Sequence, residues 1–325
     1  MTSVAAAAAA GLVAPPSDAE LKRALALIDG GEPVEVERTS SPYASSFPLE
    51  QLRVRGRDGA EARLAFKRLQ WSARGAGHAK PAFLFDAARE PEVYRSLLPS
   101  GPAGPPRYFG SVETGDGGRW LFVEWVEGSP LHELGEESLW RAAARWLGEF
   151  HAALAGSVEQ APLVVHDGAY YGRWLERARR FAVGDAAGDF LERLSRRYEA
   201  LVEGLLALPR TVVHGDFHAA NVLVGGAPGA VRVAPVDWEL AALGPGVIDL
   251  AALTSGEWSG RQRELIVEAY ASAPGVPDFT ARDLELARLH LAVQWLGWSP
   301  AWEPPAEQRR DWLAEAIAIA DRLGL

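Results

Sequence analysis

The sequence predicts an α+β protein of two lobes: a small N-terminal antiparallel β-sheet lobe and a larger, mostly helical C-terminal lobe. The chain has 325 residues, which is long enough for two lobes. Strand-like alternation is concentrated in its first third, and apolar stripes with helical spacing dominate after residue 138. We therefore expect a disordered leader over 1–16, a first lobe over 17–127 and a second over 128–325.

The first lobe is predicted to begin with a helix and to contain five strands. Ser17 and Glu20 have the spacing of a capping box, and the helix that they start is expected to end at Gly30-Gly31. Alternation predicts strands over 33–38, 49–57, 61–69, 107–113 and 120–126. Asp58-Gly59 favours a hairpin between the second and third strands. A helical stretch over 82–98 precedes the last two strands, interrupted at Pro91, where a new first turn can begin.

The second lobe follows a linker at 127–130. From Ser138, apolar residues recur at spacings of three and four, which predicts one buried face of a long helix. Similar stripes predict helices over 171–181, 189–208, 261–271, 281–296 and 305–323. Short β-rich pieces interrupt them over 211–216, 221–224 and 231–236.

The composition excludes several classes of protein. The chain has no cysteine, so disulfides and thiolate metal sites are absent. No apolar run reaches the roughly 18 residues of a membrane span. The net charge of −10 and the lack of a long basic block argue against a nucleic-acid partner. No Lys or Arg precedes the six alanines at 5–10, so we expect a leader rather than a signal peptide, and a cytoplasmic protein without a membrane partner. Its oligomeric state is not indicated.

The most informative residue is Asn221, the only asparagine in the chain. It follows Asp216 by five positions in the run from His214 to Asn221, and Asp237 comes sixteen residues later. A carboxylate, an amide and a second carboxylate thus lie within the reach of one hairpin. Hard oxygen ligands for Mg²⁺ and a base for an attacking hydroxyl are what phosphoryl transfer from a nucleotide requires.

This run, followed by Asp237-Trp238-Glu239, Gly244 and then Ile248 to Ala251, resembles the aminoglycoside phosphotransferase and choline kinase family. The family has a protein-kinase-like fold, and the resemblance covers most of the chain because the sheet lobe matches in order and spacing. It implies ATP and Mg²⁺ as cofactors and a hydroxyl of a small molecule as acceptor. Asp216 would be the catalytic base, Asn221 and Asp237 would hold Mg²⁺, and Asp249 would anchor the catalytic loop.

Two alternative functions remain open. His214, Asp216 and His218 alternate and could bind a transition metal in a hydrolase, but that leaves Lys67, Asn221 and Asp237 without roles. A nucleotide-binding protein of this fold without turnover is the other alternative. We interpret His214 and His218 as scaffold residues that hydrogen-bond the loop backbone.

Two positions outside the run are expected to serve the nucleotide phosphates and the metal. Lys67 lies on a predicted strand of a chain with only three lysines, and a compact ammonium group suits nucleotide phosphates. Glu90 is its preferred ion-pair partner and Glu92 the rival. Glu239, two residues beyond Asp237 on a predicted strand, is expected either to hold a metal-bound water or to be solvated.

The remaining expectations concern adenine, the phosphates and the acceptor. The backbone from Glu124 to Val126 would form a hinge that pairs with adenine. The loop 39–46 contains no glycine, so what covers the phosphates is not indicated. Trp298 and Trp302, spaced with Trp295 as one helical face and followed by Glu303, suit a cationic or sugar-like acceptor. Aminoglycosides, amino alcohols and sugars all remain open.

Overall fold

The structure is a computed structural model that describes residues 14–31, 33–41, 47–73, 80–156, 161–226, 230–256, 258–299 and 310–325. Most of the predicted leader, and residues 42–46 of the loop that lacks glycine, lie outside these ranges. Helices and strands are numbered below in chain order within the described residues.

The first lobe contains the predicted helix and five-stranded sheet. Helix α1 is Asp18–Asp29, with a capping box between Ser17 and Glu20 and a left-handed Gly30 at its end. The sheet is antiparallel, in the order β1-β2-β3-β5-β4. Its strands are β1 Glu35–Ser40, β2 Leu49–Arg55, β3 Glu61–Leu69, β4 Tyr108–Glu113 and β5 Arg119–Glu124. Leucines of α1 pack against apolar residues of the sheet in a small core of their own.

The helical stretch between β3 and β4 differs from the prediction. Helix α2, Arg89–Glu92, runs through Pro91 and continues as a π-helical turn over Val93–Leu97. A proline at the third helical position is tolerated because amides of the first turn have no intrahelical acceptor. The predicted interruption at Pro91 is therefore wrong, and the break comes before Arg89, after a separate 3₁₀ turn at Ala82–Leu84.

The second lobe is mainly helical. Its helices are α3 Glu137–Ala153, α4 Gly168–Phe181, α5 Asp185–Ser195, α6 Tyr198–Leu206, α7 Val247–Leu253, α8 Gly260–Ala271, α9 Ala281–Leu296 and α10 Trp312–Leu323. The prediction of one helix over 189–208 is wrong, since the backbone leaves helical geometry at Arg197. The buried Tyr198 hydroxyl donates to the Tyr171 carbonyl at 3.1 Å, so tertiary packing sets this break.

Two small sheets position the polar loops. Their strands are β6 Ser129–Pro130, β7 Val164–Val165, β8 Arg210–Val213, β9 Val222–Gly225, β10 Arg232–Pro235 and β11 Ala242–Pro245. One sheet has the order β10-β9-β6 and the other β7-β11-β8. Strand β8 leads directly into His214, while the β9–β10 hairpin separates Asn221 from Asp237. The hairpin therefore brings the two predicted metal ligands to one end of the same pair of strands.

The main core runs through the second lobe and reaches the sheet. Trp174, Phe150, Phe217 and Trp238 are among its fully buried side chains. None of the helices in the described part of the chain combines the length and apolarity that crossing a bilayer requires.

Candidate active site

Asp249 anchors the loop that carries Asp216. Its side chain, from α7, is completely buried and accepts backbone N–H bonds from His214 at 2.6 Å and from Gly215 at 2.9 Å. His151 Nε2 lies 3.2 Å from the same carboxylate. Burial alone would raise the pKa of Asp249, but the His151 contact and the donated bonds hold it below its usual value. The carboxylate is therefore ionised at neutral pH and fixes the start of the loop.

Asp216 and Asn221 are in direct contact. Asn221 Nδ2 donates to the Asp216 carboxylate at 2.9 Å and to its carbonyl at 3.0 Å. Gly215 must be glycine because its φ is +80° and an added Cβ would lie 2.2 Å from the Leu240 carbonyl oxygen. Burial, followed by the negative charges of Asp237 and Glu239, raises the pKa of Asp216 to about 7. The side chain is nevertheless partly exposed, to 31%.

His214 is held by the backbone through both ring nitrogens. Burial lowers its pKa, so the ring is neutral at pH 7. Nε2 must then carry the proton, because it lies 2.9 Å from the Val236 carbonyl oxygen, and Nδ1 accepts from the Asp216 amide at 3.3 Å. Neither nitrogen is available to a metal ion. The geometry matches the scaffold interpretation for His214. For His218 that interpretation is wrong, because its ring makes no hydrogen bond to the backbone among the described residues, and its Nε2 lies 3.5 Å from Asp216. The bonds of His214 give no support to a metal-dependent hydrolase.

Lys67 lies among the carboxylates of Glu90, Asp237 and Glu239. Its Nζ donates to Glu90 at 2.7 Å and to Asp237 at 2.6 Å. Glu92 instead pairs with Arg95 at 2.6 Å, so the preferred partner is the observed one. Burial alone would lower the pKa of Lys67, but the carboxylates around it, Asp237 first, raise it well above its usual value.

A second lysine, Lys80, belongs to the same cluster and was not predicted. Its Nζ is 2.9 Å from Oε1 of Glu239, which lies 3.7 Å from Lys67 through its other oxygen. Of the two expectations for Glu239, the solvated one is wrong, whereas a role in holding a metal-bound water stays a prediction, because oxygens of Glu90, Asp237 and Glu239 lie within 4.8 Å of one another. No strand extends to it, because β10 ends at Pro235 and Asp237 has a left-handed backbone, and the side chain is buried rather than solvated. The scarcity of lysine in the chain is the one signal that could have drawn attention to Lys80.

The predicted hinge is clamped by an arginine of the second lobe. Arg232 donates to both carboxylate oxygens of Glu124, at 2.7 and 2.8 Å, and to the Gly104 carbonyl at 2.8 Å. Both carboxylate oxygens of Glu124 are therefore already hydrogen-bonded to the protein. Val126 is buried, and its backbone groups have no protein hydrogen-bond partner among the described residues.

The structure describes only part of the aromatic face that was predicted to bind the acceptor. Helix α9 ends at Leu296, so the helical spacing from which the face was predicted does not reach Trp298. The Trp298 ring stacks on Trp174 with centroids 5.7 Å apart. Trp295 does approach the catalytic loop, with its ring 5.5 Å from that of His218. Trp302 and Glu303 lie outside the described residues.

Comparison with known families identifies the chain. The model of the phosphotransferase enzyme family matches residues 57–290, a range that contains the site residues of both lobes described above. The chain belongs to this family. The match covers most of the chain, and the resemblance seen in the sequence is confirmed. A search of the curated proteins finds no match.

Solved structures of kinases and phosphotransferases share the fold. Aminoglycoside 2'-phosphotransferase-IIIa in complex with GDP is 13% identical, with a TM-score of 0.59 over 94% of this chain and 98% of that one. A macrolide 2'-phosphotransferase from Brachybacterium faecium is 19% identical, with a TM-score of 0.59 over 92% and 97%. Choline kinase from Cryptosporidium parvum Iowa II is 15% identical, with a TM-score of 0.56 over 89% and 88%. The predicted two-lobed, protein-kinase-like α+β fold is thus confirmed.

Proposed function

We propose that this family member is an ATP-dependent O-phosphotransferase that acts on a hydroxyl group of a small molecule. The observation that carries the proposal is the geometry of the loop from β8. It brings the Asp216 carboxylate against the only asparagine of the chain, while the Lys67 ammonium group bonds Asp237 at 2.6 Å. These side chains are the parts that phosphoryl transfer needs, and they lie close enough for the charge of Asp237 to act on Asp216.

Asp216 is the proposed catalytic base. A pKa of about 7 makes the carboxylate able to accept a proton near neutral pH. The acceptor oxygen attacks the γ-phosphorus of ATP, the bond from that phosphorus to the bridging oxygen breaks, and the hydroxyl proton passes to Asp216. Asn221 and Asp249 hold the base in place from its two sides.

The oxygens near Asp216 fit a hard divalent cation. Asn221 turns its Nδ2 toward Asp216, and no donor of the described residues bonds its Oδ1. We propose that this oxygen and the Asp237 carboxylate hold Mg²⁺, which prefers such ligands. When bound, the ion would neutralise charge on the nucleotide phosphates.

The remaining roles concern the two substrates. Lys67, oriented by Glu90, would neutralise the α- and β-phosphates as a compact charge. The backbone from Glu124 to Val126 would pair with adenine, because the Val126 amide and carbonyl have no protein partner among the described residues. We place the acceptor between the Asp216 loop and the segment of Trp298, Trp302 and Glu303. The proteins of similar structure are named as enzymes that act on aminoglycosides, on macrolides or on choline. The chemical class of the acceptor of this chain therefore stays open.

A screen for ATP consumption over hydroxylated metabolites and antibiotics tests the proposal. Asp216→Asn should lower turnover on the acceptor that emerges by about 100-fold or more, as for a positioned general base. Its affinity for magnesium-nucleotide should stay close to that of the wild type, because the residue faces the acceptor. An Asp216→Asn variant with wild-type turnover would remove the assignment. A wild-type protein that binds nucleotide but transfers phosphate to no acceptor would favour the non-catalytic alternative.

A further inference from the structure

The second lysine of the site has no role in the function proposed above. The side chain of Lys80 is only 2% exposed and its Nζ lies 2.9 Å from Glu239. The ring centroid of Phe47 is 5.7 Å from this ammonium group and 6.0 Å from that of Lys67. The two lysines therefore share an aromatic neighbour. They also share a carboxylate, since Lys67 is 3.7 Å from Glu239.

Lys80 supplies one of the two ammonium charges in this cluster. Lys67 and Lys80 lie among three acidic side chains, those of Glu90, Asp237 and Glu239, so the acidic groups outnumber the ammonium groups. Removing Lys80 would increase this excess. Glu239 would then compete more strongly with Asp237 and with nucleotide phosphates for Lys67, because burial makes the loss of a cationic partner costly for a carboxylate.

The nearby guanidinium group does not replace Lys80. Arg89 donates to the backbone carbonyls of Leu84, Pro162 and Glu239 at 2.7 to 2.9 Å. It therefore holds the backbone of Glu239, whereas Lys80 holds its carboxylate. Since Glu239 follows Asp237 by two residues, both contacts also restrain the turn from which Asp237 reaches Lys67.

We propose that Lys80 is a positioning residue that binds Glu239 and so leaves Lys67 and Asp237 available to the nucleotide. The inference rests on the proposed function, because it assumes that nucleotide phosphates and Mg²⁺ approach these two side chains. It assigns Lys80 an electrostatic role that depends on the charge of Glu239, which distinguishes it from a lysine that only fills space.

Nucleotide binding by two charge-removing variants tests this role. The probe is the Mg²⁺ complex of a non-hydrolysable ATP analogue, titrated by calorimetry into the full chain without acceptor. Lys80→Met should raise its Kd by roughly 10- to 100-fold, the usual cost of removing a partner that orients a ligating group. The double variant Lys80→Met/Glu239→Gln removes both charges together and should restore the Kd to within about threefold of the wild type.

The control is Lys22, a partly exposed lysine of the first lobe. Lys22 bonds the Val34 carbonyl at 2.8 Å, away from the site, so Lys22→Met should bind the analogue like the wild type. Wild-type affinity in Lys80→Met, or equal weakening in the single and double variants, would overturn the electrostatic role. If Lys80→Met does not fold, the double variant decides, since the proposal requires it to fold and to bind. A wild-type protein that binds no nucleotide would instead overturn the proposed function, and this inference with it.

Discussion

Replacing Asp249 by asparagine tests whether an ionised carboxylate anchors the loop that carries Asp216. The two oxygens of Asp249 accept from the amides of His214 and Gly215 at 2.6 and 2.9 Å. Asparagine has the same shape, but its amide group would face the Gly215 N–H. One charge-assisted bond is lost, and a buried backbone donor is left without an acceptor. Together these changes should cost about 3–5 kcal/mol of the free energy of unfolding.

Urea unfolding followed by tryptophan fluorescence measures this cost, since Trp238 is fully buried against the loop, with its ring 4.4 Å from that of His214. The matched control is Asp189→Asn, an exposed aspartate of α5. It should change the free energy of unfolding by no more than about 0.5 kcal/mol. A loss below about 1 kcal/mol in Asp249→Asn would refute the anchoring argument, because one unsatisfied buried amide alone should exceed it.

Two further predictions concern charge and the hinge. In the metal-free protein the pKa of Asp216 is raised to about 7. The folded state therefore keeps a proton on this carboxylate that the unfolded state releases near pH 4. As a result, the free energy of unfolding falls as the pH rises between these two values. The Tm of Asp216→Asn relative to the wild type should therefore increase from about pH 4.5 to about pH 8, and a constant difference would contradict the raised pKa. Arg232→Met should raise the KM for ATP more than that for the acceptor, because it releases Glu124 from its two bonds. Equal changes in the two KM values would instead indicate a general loss of structure.

Periodicity and capping predicted much of the first lobe. All five strands appear close to their predicted positions, and α1 begins at the predicted Ser17 cap. These features depend on residues close in sequence. The split between α5 and α6 depends instead on Tyr198, whose hydroxyl bonds a carbonyl 27 positions away. The two-residue strands β6 and β7 are too short to leave a pattern in the sequence.

The site residues divide in the same way, into those that a short sequence pattern predicted and those that depend on contacts between distant parts of the chain. The short run from His214 to Asn221 predicted that Asp216 and Asn221 lie within the reach of one hairpin, and in the structure their side chains are in contact. The pairing of Lys67 with Glu90 was preferred over Glu92, although Pro91 left the helical phase uncertain. Lys80 could not be placed, because its contact with Glu239 spans 159 positions and depends on how the two lobes pack.

The turn after β10 explains why Glu239 does not lie on the predicted strand. Asp237 has φ +68° and ψ +59°, and it is the only residue other than glycine with a positive φ among those described. Such a conformation costs of order 1 kcal/mol or more, so the surroundings must hold it. Trp238 is fully buried beside it, Lys67 bonds its carboxylate, and Arg89 bonds the carbonyl of Glu239.

This strained turn keeps both acidic side chains beside Lys67. The Lys67 ammonium group lies 2.6 Å from Asp237 and 3.7 Å from Glu239, and oxygens of these two side chains and of Glu90 lie within 4.8 Å of one another. A strand would also point Asp237 and Glu239 the same way. The left-handed residue and the 3₁₀ turn differ from a strand in that they follow the end of β10, and Trp238 is fully buried there. Because Glu239 also lies 2.9 Å from Lys80, the turn brings the two carboxylates together at Lys67 while the second one has a lysine of its own.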